Sequence, residues 1–68
     1  MLIKILLNGE EKQLMEGWTV AQLVHSLELP AQRIAIEYNR RILKKEKWAA
    51  HPIADGDRIE IVHFVGGG

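Results

Sequence analysis

The chain has 68 residues, no cysteine, and nine basic and nine acidic side chains that give a formal net charge of zero. A chain of this length forms one small domain with no room for a deep active-site cleft. The balanced charge offers no field that would attract nucleic acid, and the lack of cysteine excludes disulfides, thiolate metal sites and a cysteine nucleophile. No apolar run approaches the length of a membrane helix, and no signal-peptide layout follows Met1. These features predict a cytoplasmic domain that binds neither nucleic acid nor membrane.

The chain opens with the pattern of a β-hairpin. Leu2 to Leu7 alternate as a strand, and Asn8-Gly9 is typical of a type I′ turn, in which both residues need a positive φ. Glu11 to Met15 should therefore return as an antiparallel strand. Its polar composition suggests the edge of a sheet.

A complete helix-start signal follows the hairpin. Thr19 is placed to cap the helix, and Gln22 is placed to close a capping box with it. Trp18 is placed to pack against Leu23 as a hydrophobic staple. We expect the helix to begin at Val20.

Pro30 should end this helix near Glu28 or Leu29, because the residue before a proline disfavours helical backbone. Between these limits, apolar residues recur at helical spacing and should be buried against the hairpin. These residues are Val20, Leu23, Val24 and Leu27.

The second half of the chain predicts a smaller hairpin and a crossover. Ile34 to Tyr38 reads as a third strand, and Arg41 to Leu43 is short enough to be its return partner. Residues 44 to 53 lack strand alternation and should cross the fold with a short helical turn. Trp48 and Ile53 are the expected anchors of this crossover.

The last strand is predicted over Arg58 to Phe64, after the turn signal Asp55-Gly56-Asp57. Alternation places Ile59 and Ile61 on the buried face and Phe64 on the opposite face. The element order predicts an α+β fold with a mixed sheet of about five strands packed on one main helix. The first and last strands are the most apolar, which suits central positions, and parallel neighbours are allowed because the helix supplies the crossover.

Three glycines, Gly66 to Gly68, follow the last strand. Glycine lacks a Cβ and resists ordering, so we expect residues 1–65 to form the domain and residues 66–68 a flexible tail. A carboxylate on so thin an arm can enter a narrow active site on another protein. Composition alone would favour a frayed terminus or a cloning remnant, and the rest of the chain reverses that preference.

Three features carry a family resemblance: the Asn-Gly hairpin before one capped helix, the Asp-Gly-Asp turn, and the ending Phe64-Val65-Gly66-Gly67-Gly68. Over nearly its whole length the sequence resembles the sulfur-carrier proteins of thiamine biosynthesis, the ThiS family. The resemblance implies a ubiquitin-like β-grasp fold and a protein that is not itself an enzyme.

The resemblance also implies a mechanism. A separate, E1-like enzyme would use ATP to adenylate the carboxylate of Gly68, and a sulfur donor protein supplied by cysteine would convert the adenylate to a thiocarboxylate. Thiazole synthase would then take the sulfur for the thiazole ring of thiamine. Val65, Gly66, Gly67 and Phe64 would contact these partners. No cofactor would be bound by the chain, and ATP would be held by the adenylating enzyme.

The residues agree with a mechanism in which a partner enzyme binds ATP and activates the carboxylate. A carboxylate is a poor electrophile and needs activation before sulfur can be attached, yet the sequence has no glycine-rich phosphate loop leading into a helix. His25, His51 and His63 match no metal-ligand spacing and are expected to be solvated or packing residues. Lys44, Lys45 and Lys47 with Arg40 and Arg41 form a basic cluster that favours a solvated face over a docking patch.

Other functions remain open at this level. The small subunit of molybdopterin synthase and other ubiquitin-like sulfur carriers or protein modifiers share the glycine ending. A β-grasp interaction module with an incidental tail, including one that binds RNA, is the alternative from another class. Phe64 could serve as a partner-facing anchor or as ordinary edge packing.

Overall fold

The computed structural model describes residues 1–64. Five strands and one α-helix make up the described fold: β1 (Leu2–Leu7), β2 (Glu10–Met15), α1 (Val20–Ser26), β3 (Ile34–Tyr38), β4 (Arg41–Leu43) and β5 (Arg58–His63). Two 3₁₀ turns, Ala31–Arg33 and Lys45–Ala50, lie between them. The second is the short helical turn predicted for the crossover.

The strands form one mixed sheet in the order β2-β1-β5-β3-β4. β1 and β5 are parallel, and all other neighbours are antiparallel. The predicted central placement of the first and last strands is confirmed, as is β2 at an edge, and their parallel pairing is one that the sequence allowed. The α+β fold with a five-stranded mixed sheet and one main helix is likewise confirmed.

Both hairpins turn through two residues with positive φ. Asn8 and Gly9 have φ of 50° and 83°, as the type I′ prediction requires, and β2 begins at Glu10 rather than Glu11. Asn39 and Arg40 adopt φ of 51° and 71° between β3 and β4. The left-handed backbone is less usual for arginine than for asparagine.

The predicted capping box and the first helical residue of α1 are confirmed. The main-chain amide of Gln22 donates to Thr19 Oγ1 at 3.2 Å, and the main-chain amide of Thr19 donates to Gln22 Oε1 at 2.8 Å. Together these two bonds complete the capping box. Val20 is the first helical residue. Trp18 is half-buried against the core, which includes Leu23.

The predicted end of α1 is wrong, because the helix ends at Ser26. The Glu28 amide donates to the His25 carbonyl at 3.0 Å, and the Leu29 amide donates to the Val24 carbonyl at 3.3 Å. This is the hydrogen-bond pattern of a Schellman motif, with Glu28 at a φ of 56° where glycine is usual. The helix is therefore ended by its own capping turn before Pro30 can act.

Replacing Glu28 with glycine should stabilise the domain. A residue with a Cβ is disfavoured in the left-handed region by about 1–2 kcal/mol, and the greater entropy of glycine in the unfolded chain offsets part of this. We expect Glu28→Gly to raise the free energy of unfolding by about 0.5–1 kcal/mol in urea denaturation. Glu28→Ala is the control, since it removes the carboxylate and keeps the Cβ. An equal gain in both variants would contradict this explanation.

The core lies between α1 and one face of the sheet. The crossover anchors are confirmed, with Trp48 and Ile53 both buried, and Leu27 of the helix stripe is only partly buried. Burying one helix against one sheet face is the two-layer solution expected for a chain this short. The buried residues are Ile5, Leu14, Val20, Leu23, Val24, Ile34, Ile36, Trp48, Ile53 and Ile59.

Candidate site at the end of the last strand

The end of β5 is the described part of the chain that leads toward the glycines. Phe64 is the last described residue, and Val65, Gly66, Gly67 and Gly68 lie outside the described residues. The predicted boundary between residues 65 and 66 and the roles of these four residues therefore stay predictions. The described residues show how β5 is held as it reaches Phe64.

On one side, β3 holds β5 along its whole length. The two strands pair from Tyr38 with Ile59 to Ile34 with His63. Beyond the ladder, the Phe64 amide donates to the Arg33 carbonyl at 2.7 Å. Main-chain pairing on this side therefore continues to the last described residue.

On the other side, β1 covers only the first part of β5. Leu6 pairs with Arg58 and Leu7 with Ile59 before β1 ends. Asn8 then donates its amide N–H to the Ile59 carbonyl at 2.9 Å, and its side-chain Oδ1 accepts from the Ile61 N–H at 2.7 Å. Among residues 1–64, the Asn8 side chain thus provides the last hydrogen bond that β5 receives on this side.

This contact of Asn8 was missed by the sequence reasoning, which assigned the residue only to the turn. Asn8 and Ile61 are 53 residues apart, and no local pattern connects them. An asparagine at the end of a central strand is the only signal, and it is weak because Asn-Gly is explained by the turn alone.

The start of β5 is fixed by a second polar network. The Arg58 amide donates to Asn39 Oδ1 at 2.8 Å, and Asn39 Nδ2 donates to Asp57 Oδ1 at 3.1 Å. The other oxygen of Asp57 accepts from the Ala54 amide at 2.7 Å. The predicted Asp-Gly-Asp turn is confirmed, with Gly56 at a φ of 87°. The strand is therefore held at both ends by asparagine side chains from the two hairpin turns.

Phe64 is 56% exposed, so the predicted outward direction is confirmed. Its neighbour two residues back, Val62, is also exposed at 53% and lies on the face opposite α1. Other exposed apolar side chains on this outer face come from three further strands. They are Leu2, Met15 and Ile42. Leu2 and Met15 lie where β1 begins and β2 ends, at the opposite end of the sheet from Val62 and Phe64, so the exposed apolar side chains form separate spots and not one continuous surface.

The remaining candidates do not gather into a site. Within residues 1–64, no group of three potential ligands could hold a metal ion. His51 packs edge-on against Tyr38 at 4.3 Å between ring centroids, as expected for a packing residue, whereas His25 and His63 are exposed. The five residues of the basic cluster are all exposed. In the described part of the chain, no helix has the length and apolar character needed to cross a membrane.

One helix packed across a five-stranded mixed sheet, with the last strand central and parallel to the first, defines a β-grasp domain. A crystal structure of the thiamine biosynthesis protein ThiS from Geobacter metallireducens is similar, with a TM-score of 0.79 and 28% identity, covering 97% of this chain and all of that one. The sequence model of the ThiS family matches residues 5–68. The chain belongs to the ThiS family.

Relatives of two kinds are similar in sequence. The sulfur carrier protein ThiS of Bacillus subtilis is 40% identical over 63 residues, which cover 91% of this chain and 96% of that protein. ThiS of Escherichia coli is 33% identical over 97% of this chain and its own entire length. Thiazole synthase of Paramagnetospirillum magneticum is 38% identical over 66 residues, so the chain spans about 20% of the length of that relative.

Proposed function

We propose that this protein is the sulfur carrier of thiamine biosynthesis and bears the sulfur on the carboxylate of Gly68. The family match carries the proposal, because it extends through the glycines to Gly68. The similarity over the full length of the Escherichia coli carrier supports it further. The alternatives of a molybdopterin synthase subunit or an interaction module receive no comparable support.

The chemistry requires a separate activating enzyme. A carboxylate accepts a sulfur nucleophile only after an oxygen has become a leaving group, and adenylation by ATP provides one. The chain has no phosphate-binding loop, so ATP would bind to an E1-like partner. A persulfide on a sulfur donor protein, itself charged from cysteine, would then attack the acyl carbon and displace AMP, which gives an acyl disulfide. A thiol would cleave that disulfide, so that the thiocarboxylate stays on Gly68 and a new disulfide forms on the donor side.

Thiazole synthase is the proposed recipient of the sulfur. The support is the thiazole synthase from Paramagnetospirillum magneticum, in which a region similar to this chain makes up about a fifth of the protein. A carrier region and a synthase on one chain are easily explained if the two must meet during the reaction. In that scheme the chain is a protein co-substrate, and no catalytic group of its own is needed.

Mass spectrometry of the intact protein tests the proposal directly. The chain is incubated with the adenylating enzyme, ATP and a sulfur donor, and its mass should rise by the difference between one sulfur and one oxygen. Omitting ATP should leave the mass unchanged. An unmodified protein in the complete mixture would contradict the proposal.

The end of β5 at Val62 and Phe64 is the proposed docking surface for the activating enzyme. Phe64 loses little buried area when truncated, because more than half of the residue is exposed. We expect Phe64→Ala to leave the denaturant midpoint nearly unchanged and to weaken binding to the enzyme by about 2 kcal/mol, as for an interface anchor. Ile42→Ala is the control, since Ile42 is also exposed, at 67%, but lies on the edge strand β4, away from the end of β5. A large fall in the midpoint, or equal effects in both variants, would contradict the anchor role.

A further inference from the structure

β5 has an open edge next to the proposed docking surface. Successive residues of a strand direct their main-chain N–H and C=O groups to alternate sides. Arg58 directs its carbonyl to the β3 side of the strand, where the carbonyl accepts from the main-chain amide of Asn39 at 2.8 Å. Phe64 directs its main-chain amide to the same side, toward the Arg33 carbonyl. The main-chain groups of the intervening odd-numbered residues therefore point to the opposite side, toward β1.

Among residues 1–64, three of these groups have no hydrogen-bond partner. The Ile59 carbonyl accepts from the main-chain amide of Asn8, and the Ile61 amide donates to the Asn8 side chain. The Ile61 carbonyl and both main-chain groups of His63 make no hydrogen bond within these residues, because β1 has already ended. The Ile61 carbonyl and the His63 amide flank Val62 and form what we call the open edge.

The spacing of the open edge fits one strand direction. In a parallel ladder, a residue on one strand donates to the carbonyl of the residue before its partner and accepts from the amide of the residue after its partner. Leu6 of β1 makes this pair of hydrogen bonds opposite Arg58. Asn8 makes the next pair, with its side-chain Oδ1 in place of its main-chain carbonyl. The next position in the same line, opposite Val62, is the open edge. An antiparallel strand that bonded both groups would instead compete with Asn8 for the Ile61 amide.

We propose that the open edge receives an extended segment of the adenylating enzyme, which runs parallel to β5 and continues the line of β1. One residue of that segment donates to the Ile61 carbonyl and accepts from the His63 amide. Its side chain lies on the outer face beside the exposed Val62 and is apolar. The segment would hold β5 extended just before the residues that must enter the adenylation site, so this inference rests on the proposed function.

His63→Pro tests the main-chain contact. Proline removes the N–H, and it is tolerated in a strand where that N–H faces away from the sheet. His63→Ala is the matched control, because it removes the imidazole and keeps the N–H. We expect both variants to keep the denaturant midpoint of the parent, His63→Ala to bind the enzyme within about twofold of the parent, and His63→Pro to bind about tenfold more weakly or worse.

Amide hydrogen exchange provides a second readout that does not depend on the folding of a variant. On addition of the adenylating enzyme to the parent chain, exchange of the His63 amide should slow. Parent-like binding of His63→Pro, equal loss in both variants, or an unprotected His63 amide in the complex would each overturn the open-edge proposal while the parent chain is still activated. A parent chain that the enzyme cannot activate would overturn the proposed function, and this inference with it.

Discussion

A chain extended by a few residues beyond Gly68 is expected to keep its fold and to lose activation by ATP. Under the proposed function the acceptor is the α-carboxylate of Gly68, and a peptide bond at that position converts it to an amide. An amide oxygen is not a nucleophile toward the α-phosphate of ATP under these conditions. The extended chain ends in a new α-carboxylate, but that group lies several residues beyond the position that Gly68 must occupy in the adenylation site, so activation should be lost. The extension lies beyond Phe64, and the described core makes no use of it.

The measurement is pyrophosphate exchange catalysed by the adenylating enzyme, with the denaturant midpoint recorded for each chain. The matched control carries the same added residues before Met1, whose side chain is 84% exposed and can tolerate them. This control should exchange at the parent rate. Equal exchange by the chain extended after Gly68 would show that another group is adenylated.

Local signals in the sequence predicted most of the secondary structure. The two hairpin turns and the capping box each depend on a few consecutive residues, and their geometry follows from the backbone preferences of those residues. The central position of β1 and β5 agrees with their apolar composition, which suits strands that have a neighbour on each side.

The features that the sequence did not predict depend on contacts made after folding. The Schellman turn at Glu28 places a charged residue in a conformation that its identity disfavours, so the sequence offered Pro30 as the more evident stop. The hydrogen bond between the Asn8 side chain and Ile61 joins positions 53 residues apart in the sequence, and it depends on the register of β1 and β5. The open edge is a consequence of that register, because β1 ends before it reaches the position opposite Val62.

The family resemblance predicted more of the function than the residue pattern did. Phe64 was placed outward by alternation alone, and the structure confirms its exposure. The role of Gly68 depends on a chemistry that no contact among residues 1–64 displays. For this reason the activation experiments carry the test of function, whereas the stability experiments test the fold.

Trp48 and Trp18 are expected to differ sharply in their effect on stability. Trp48 is 4% exposed, and its Nε1–H donates to the Leu43 carbonyl at 2.9 Å, so it ties the 3₁₀ turn of the crossover to the end of β4. Truncating a buried aromatic residue to alanine costs about 3–5 kcal/mol. A domain of this size has a total stability of about 3–10 kcal/mol, so Trp48→Ala should leave much or all of the chain unfolded.

Trp18→Ala is the matched control, because this tryptophan is only partly buried beside the start of α1. It should lower the free energy of unfolding by a clearly smaller amount. Trp48→Phe should fall between the two, since it fills most of the site but leaves the Leu43 carbonyl without its donor, at a cost of about 1–3 kcal/mol. Far-ultraviolet circular dichroism in a urea series measures all three without relying on tryptophan emission. Equal losses in Trp48→Ala and Trp18→Ala would show that the crossover is not anchored through Trp48.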